Sequence, residues 1–366
     1  MNRTVQLLLL AILVAACQST DDPGREEKVS LPERLLLKDF RPESIYSVPV
    51  TEVTRAKYHV IDMHAHDYAG SAEGLDDWVG TMDEAGIEKT IVLSKAHGQE
   101  FDSILSVYSK YPERFEVWCG FDYSTLGDPG WPEEAIAELE RCHRKGACGV
   151  GELGDKGKGL YYSKPPAWGM HPDDPGMDPL WEKCGELGMP VSLHVADPKW
   201  MYLSMDSTND GLMNAYKWRL DNQPGIVDHR GMIDILERTL QKHPGTIFIA
   251  CHLANCSYDL ELVADLLDRH PNLYADISAR YAEICAIPRA ARRFLVKYQD
   301  RIVYGTDMGR AGEMYRTTFR LLETDDEHIY DERFSYHWPL HALDLPGQVL
   351  EKIYRLNALK LASSRP

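Results

Sequence analysis

The chain has 366 residues, 44% of them apolar and 27% charged, with a formal net charge of −17. That length suits one large α/β domain with short appendages, and the composition is that of a globular protein. The acidic balance excludes a nucleic-acid partner, because phosphate binding needs clustered Lys and Arg.

The first residues read as an export signal. Arg3 gives a positive start, Val5 to Ala16 is apolar apart from Gln6, and Val14-Ala15-Ala16-Cys17 closes the run with small residues. A run of about a dozen apolar residues falls short of the roughly 20 that span a bilayer, but it fits the apolar region of a secretory signal. The small residues before Cys17 resemble the lipobox of bacterial lipoproteins, where the cysteine is lipidated and becomes the mature N-terminus. Residues 1–17 are therefore expected to be a signal. The mature protein is expected in the bacterial cell envelope, periplasm or cell surface, touching the membrane only through a lipid on Cys17. Residues 18–55 read as a polar tether carrying Pro23-Gly24, followed by a proline-spaced extension with Leu35-Leu36-Leu37. Seven cysteines remain after Cys17, an odd number without a Cys-x-x-Cys, and are read as mostly buried thiols.

From Tyr58 a regular alternation begins, and residues 56–366 form the domain. Strands are predicted at Tyr58–Met63, Thr90–Ser94, Phe115–Phe121, Ala147–Glu152, Pro190–Val195, Thr246–Cys251, Asn272–Ile277 and Arg301–Thr306. Helical patterns lie between most of them: Leu75–Ala85, Phe101–Tyr111, Glu133–Lys145, Asp178–Leu187, Arg230–His243, Ser257–Arg269 and Pro288–Tyr298. Strand-then-helix alternation implies parallel strands with right-handed crossovers, and eight such strands close into a (β/α)₈ TIM barrel. An open doubly wound sheet is the alternative, but no G-x-G-x-x-G follows an early strand. Ala196–Val227 is a long insertion after the fifth strand, Ala311–Leu345 reads as irregular, and Pro346–Leu361 as a closing helix.

Barrel chemistry sits at the C-terminal strand ends. Those ends carry His64 and His66, Glu152, His194, His252, Asp276 and Asp307. In Ile61-Asp62-Met63-His64-Ala65-His66 the two histidines alternate onto one side and can bind one ion. His194 and His252 each end an apolar run, where a buried imidazole needs a partner. Asp307 ends Val303-Tyr304-Gly305-Thr306-Asp307, where a carboxylate can ligate a metal or accept a proton. Cys251 alternates away from His252 and is assigned to packing.

This set, with His-Val-Ala-Asp-Pro (194–198) and Ala-Cys-His-Leu-Ala-Asn (250–255), resembles the amidohydrolase superfamily, and most nearly its amidohydrolase 2 family, over roughly residues 55–362. The resemblance implies that His64, His66, His194 and Asp307 bind the principal metal, while His252 polarises the substrate or moves a proton. Glu152, in Gly149-Val150-Gly151-Glu152, resembles a bridging glutamate and decides between one ion and two. Zinc suits three imidazoles and a carboxylate, with manganese or iron as alternatives. The implied activity is hydrolysis of an ester, lactone or amide in a small, carboxylated substrate by a metal-activated water. The alternatives are non-oxidative decarboxylation, or a metal-binding surface lipoprotein without turnover. Lys95, Arg280 and Trp200 are expected to contact the substrate, the cations through charge-assisted hydrogen bonds. The oligomeric state is not legible.

Overall fold

The structure, a computed structural model, describes residues 33–363. Cys17, with the signal and lipid anchor assigned to it, lies outside these residues. Residues 33–40 include a short 3₁₀ turn, Leu37–Asp39. Residues from Arg41 onward form the compact unit. Its leading segment is pinned at Thr51, whose N–H and Oγ1 donate to Asp326 at 2.9 and 2.7 Å.

Eight strands follow in chain order: β1 (Val60–Ala65), β2 (Ile87–Leu93), β3 (Phe115–Trp118), β4 (Val150–Asp155), β5 (Val191–Val195), β6 (Phe248–Ala250), β7 (Leu273–Asp276) and β8 (Ile302–Val303). All their pairings are parallel: β1–β2–β3 form one run and β4 to β8 another. Backbone hydrogen bonds join the runs at both ends. Cys119 N–H donates to Gly149 O at 3.1 Å and Gly151 N–H to Cys119 O at 2.8 Å, linking β3 to β4. Met63 N–H donates to Tyr304 O at 3.0 Å and Asp307 N–H to His64 O at 2.9 Å, linking β1 to β8. The sheet is a (β/α)₈ barrel, as the alternation predicts.

The outer helices are α1 (Ala72–Ala85), α2 (Gly98–Tyr108), α3 (Trp131–Lys145), α4 (Asp178–Glu186), α5 (His229–Lys242), α6 (Leu260–Arg269), α7 (Pro288–Lys297) and α8 (Gly312–Glu323). α1 shows how sequence sets these boundaries. Ser71 accepts a hydrogen bond from Gly74 N–H to cap its start, and Gly86, at φ 87°, ends it. Between them Leu75, Trp78, Met82 and Ala85 recur at helical spacing and are buried on the face toward the barrel.

Four features depart from the sequence reading. α8 occupies part of the segment expected to be irregular; it starts at a glycine without a side-chain cap, yet buries Met314, Tyr315, Phe319, Leu321 and Leu322. A small antiparallel ribbon pairs Gly159–Leu160 with Ala167–Trp168 after β4. β6 ends at Ala250, and the chain then runs through four consecutive left-handed residues, His252 to Asn255, with φ between 53° and 61°. The closing helix is three successive helical pieces between Gly347 and Ser363. Of the seven described cysteines none is disulfide-bonded and six are buried; only Cys148 is partly exposed.

Candidate metal centre

Left-handed backbone marks the C-terminal ends of several strands: Lys95, Ala196, His252, Ala279 and Asp307 all have φ between 51° and 62°. Such a residue breaks strand continuation and costs about 1–2 kcal/mol for an L-amino acid. Asp307 is returned to β1 by its N–H bond to His64 O, so that strand end is held by backbone. Gly305 makes room for this arrangement, since a Cβ there would lie 2.7 Å from His64 Cβ.

Each histidine is oriented by one ring nitrogen. His64, fully buried, has Nδ1 2.9 Å from Asp276 Oδ2. His66 Nδ1–H donates to Leu93 O at 3.0 Å, and His252 Nδ1–H to Ser278 O at 2.9 Å. His194 is turned the other way, with Nε2 3.1 Å from Asp197 Oδ1. The opposite nitrogens converge. Glu152 Oε1 lies 2.6 Å from His194 Nδ1, 3.4 Å from His252 Nε2 and 3.6 Å from His64 Nε2. Its Oε2 lies 3.5 Å from His66 Nε2 and 3.1 Å from Lys95 Nζ. Asp307 Oδ1 is 3.1 Å from His66 Nε2 and 3.7 Å from His64 Nε2, and Oδ2 is 3.7 Å from His252 Nε2. The five residues of the sequence reading and Glu152 therefore meet in one place.

These donors fit a cation. With Nδ1 of His64, His66 and His252 held by oxygen acceptors, their Nε2 lone pairs face two carboxylates, a repulsive arrangement unless positive charge lies between them. His64 Nε2 is buried with no hydrogen-bond partner. Donor atoms of His64, Glu152 and His252, and of His64, His66 and Asp307, are close enough to share an ion. The surrounding carboxylates favour positive charge at this spot, on a ring or on an ion. Burial alone would lower His64, but Asp276 and Asp307 raise it well above the ordinary imidazole range. Burial alone would raise Glu152, but His194 and Lys95 hold it well below the usual carboxylate range. Asp307 is likewise lowered, against its burial, by His64 and His66.

The amidohydrolase family profile matches residues 61–361. The chain belongs to the amidohydrolase family. Among solved structures, a putative amidohydrolase from Staphylococcus aureus is 16% identical, with a TM-score of 0.55 over 83% of this chain and 99% of that one. An uncharacterised TIM-barrel protein from Bordetella bronchiseptica is 16% identical, TM-score 0.53, over 84% and 99%. The 2,6-dihydroxybenzoate decarboxylase from Rhizobium is 18% identical, TM-score 0.52, over 84% and 99%. At these identities the likeness shows the fold. No curated protein matches this chain. Amidohydrolases are a metal-dependent family, in keeping with the donor set.

Over the centre of this amidohydrolase lies a cavity of about 550 Å³ with His194, His252 and Asp307 on its floor. Arg280 lines it, bonded through Nη1 to Glu283 Oε1 at 2.7 Å, while its buried Nε has no partner. Lys95 reaches the centre through Glu152 and does not line the cavity. Trp200 does not line it either. Its ring packs near Tyr336 and Trp338, with centroids 6.3 and 6.1 Å away, and a Cβ at Gly211 would come within 2.5 Å of it. Trp218, from the same insertion, lines the cavity instead.

The sequence reading assigned no role to Asp276, Ser278, Asp197 or Lys156. Asp276 Oδ1 accepts from His252 N–H at 2.9 Å, Ser278 N–H at 3.0 Å and Ser278 Oγ at 2.5 Å, so one carboxylate braces two histidine segments. Asp197 is held at about 2, against its burial, by Lys156, whose Nζ is 2.8 Å away, and by His194. The available signal for Asp197 was its place three residues after His194, inside the family-like His-Val-Ala-Asp. Asp62, also missed, accepts from Thr306 N–H and Oγ1 at 3.0 and 2.6 Å across the β1–β8 junction; burial pushes it up to about 6. Cys251 is buried with Sγ 3.1 Å from Ser192 Oγ.

Proposed function

We propose that this amidohydrolase hydrolyses an ester, lactone or amide bond in a small carboxylated substrate, at a centre that would hold two divalent ions, zinc by preference, with Glu152 serving both. The observation carrying this reading is the division of Glu152. One oxygen faces His194, His252 and His64, and the other faces His66 and Lys95. On this reading His64, His66 and Asp307 would hold one ion and His194 and His252 would help hold the other, in place of the expectation that His194 joins the first set and that His252 polarises the substrate or moves a proton. Ions bound there supply Lewis acidity toward a carbonyl oxygen and acidify water.

The side chains do the rest. Asp307, kept ionised by the surrounding imidazoles, accepts the proton lost by attacking water. His252, held through Nδ1–H by Ser278 O, keeps its Nε2 lone pair turned toward the second ion at the cavity floor. Arg280, on the cavity wall with Nη1 held by Glu283, turns its guanidinium charge toward a carboxylate of the substrate. The export of this enzyme as a lipoprotein belongs to the same proposal; mass spectrometry of the mature N-terminus would find diacylglycerol on Cys17.

The test is a panel of lactones, esters, amides and carboxylic acids turned over by metal-loaded protein in heavy-oxygen water. Product carboxylates carrying solvent oxygen are expected. Carbon dioxide release without solvent oxygen would replace hydrolysis by decarboxylation, the activity named for the Rhizobium neighbour. Metal analysis of Glu152→Gln against the native chain should show loss of about one ion per chain; unchanged content would end the bridging role.

A further inference from the structure

We propose that the cavity over the metal centre continues into an outer cleft that receives the ring-bearing end of an elongated, anionic aromatic substrate. This rests on the catalytic reading for the location of the reacting bond. Lys156, Asp197, Lys217 and Trp218 line both the inner cavity and a second one of about 370 Å³, so the two share a wall. The far side of the outer cleft is aromatic and comes from the ribbon after β4: Tyr161, Tyr162 and Trp168. Tyr161 and Trp168 stack with centroids 4.8 Å apart and planes at 12°. Trp168 and Trp218 remain 62% and 57% exposed. Two indoles left this open beside a polar cavity leave uncovered the kind of rigid, amphipathic surface that binds planar rings.

The cleft is built rather than accidental. Asp155, fully buried, accepts from Gly157 N–H at 2.8 Å and Gly159 N–H at 3.0 Å, and its other oxygen lies 2.6 Å from His171 Nδ1. The ribbon's base is fixed to the insertion after β5 by Val227 N–H donating to Gly157 O at 2.9 Å, and by Tyr202 Oη donating to Lys156 O at 2.9 Å. Gly154 admits Tyr162, whose Cβ would lie 2.9 Å from a Cβ at that position.

Charge fixes the ligand's sign. Lys156 is neutralised by Asp197 and lies 4.6 Å from the Tyr162 ring centre. Arg219 is paired with Asp221. Lys217, at the junction of the cavities, donates to Ser335 Oγ at 3.0 Å and has no carboxylate within ion-pair distance among the described residues. In a chain with a net charge of −17, an unneutralised ammonium between two cavities attracts an anion. The substrate class is therefore a carboxylate whose planar aromatic portion lies toward Trp218 and Trp168 and whose scissile bond lies inward, over Asp307.

Calorimetric titration of the metal-loaded full chain with 2-naphthoate, benzoate and neutral 2-naphthol tests this. Naphthoate is expected to bind about tenfold more tightly than either of the others. Trp218→Ala and Lys217→Met, both at partly open positions, should each weaken naphthoate about tenfold while metal content and circular dichroism stay native. Equal binding of naphthoate and benzoate, native affinity in both variants, or no saturable naphthoate binding in the millimolar range would overturn the cleft. Any of these with metal and turnover intact would leave the catalytic reading standing. Loss of metal binding in the native chain would instead sink that reading first.

Discussion

Replacing Asp276 by Asn separates orientation of a ligand from stability of the barrel. Asp276 Oδ1 accepts three hydrogen bonds, from His252 N–H, Ser278 N–H and Ser278 Oγ, while Oδ2 faces His64 Nδ1 at 2.9 Å. An asparagine must keep its oxygen on the three-donor side, so its NH₂ turns toward His64. The imidazole then accepts at Nδ1 and carries its proton on Nε2, which aims an N–H where a lone pair is needed. Losing one charge-assisted hydrogen bond costs about 1.5–3 kcal/mol. Disturbing an outer partner of a metal-ligating histidine typically costs 10–100-fold in metal affinity, or about 1.4–2.7 kcal/mol. Competition against a chromogenic chelator should therefore show Asp276→Asn binding zinc about 10–100-fold more weakly. Urea denaturation of the stripped protein should show a loss of about 1.5–3 kcal/mol. Asp276→Ala should lose at least twice as much, because three donors are then left buried without an acceptor at about 1–3 kcal/mol each. Native zinc affinity in Asp276→Asn would refute the claim that this carboxylate sets the proton position on His64.

Asp307→Asn should lower turnover by about 10²–10⁴-fold with an unchanged far-ultraviolet spectrum; undiminished turnover would remove Asp307 as proton acceptor. Gly305→Ala forces a methyl against His64 Cβ at 2.7 Å, and overpacking of this kind costs about 1–3 kcal/mol in a denaturation experiment. A native denaturation midpoint would show that β8 can yield there. The hydrogen bond to Asp155 raises His171 above its ordinary value of 6.5, so its contribution to stability is full below pH 6.5 and is lost as pH rises through the folded value. The stability gap between the native chain and His171→Gln should accordingly shrink as pH increases, and a gap that widened would contradict the assigned partner.

The fold was legible because barrel strands announce themselves as short apolar runs alternating with helical patterns, and the cluster because its candidate donors follow those runs' ends. His64, His66, His194, His252 and Asp307 were readable as chemistry for that reason. The positioning groups were not. Asp276 and Asp62 lie within strands, and a buried aspartate at a strand end reads equally as a turn residue until its hydrogen-bond partners are known. The turn from His252 to Asn255 has no glycine to signal its left-handed backbone; tertiary hydrogen bonds such as those of Asn255 Nδ2 to Val195 O and Ala196 O, at 3.1 and 3.2 Å, hold it in place. Insertions were the hardest to read. Trp200 and Trp218 are 18 positions apart in one loop, and only the folded loop shows that one packs inward while the other faces the cavity.

The junction between β1 and β8 joins residues far apart in the chain: Asp62 and Thr306, which bond across it, are 244 positions apart. His64 and Asp307 flank the same junction, so the donors they contribute come together only when the ring is complete. A nascent chain halted before its last strand would hold at most part of the set. An ion held by this set would therefore report completion of folding and act as a clasp on the barrel's final joint. Stripping the ion from the finished protein should speed opening at this joint ahead of the rest of the wall. Circular permutants cut elsewhere, with the old termini tied, should shift the first point of opening away from it.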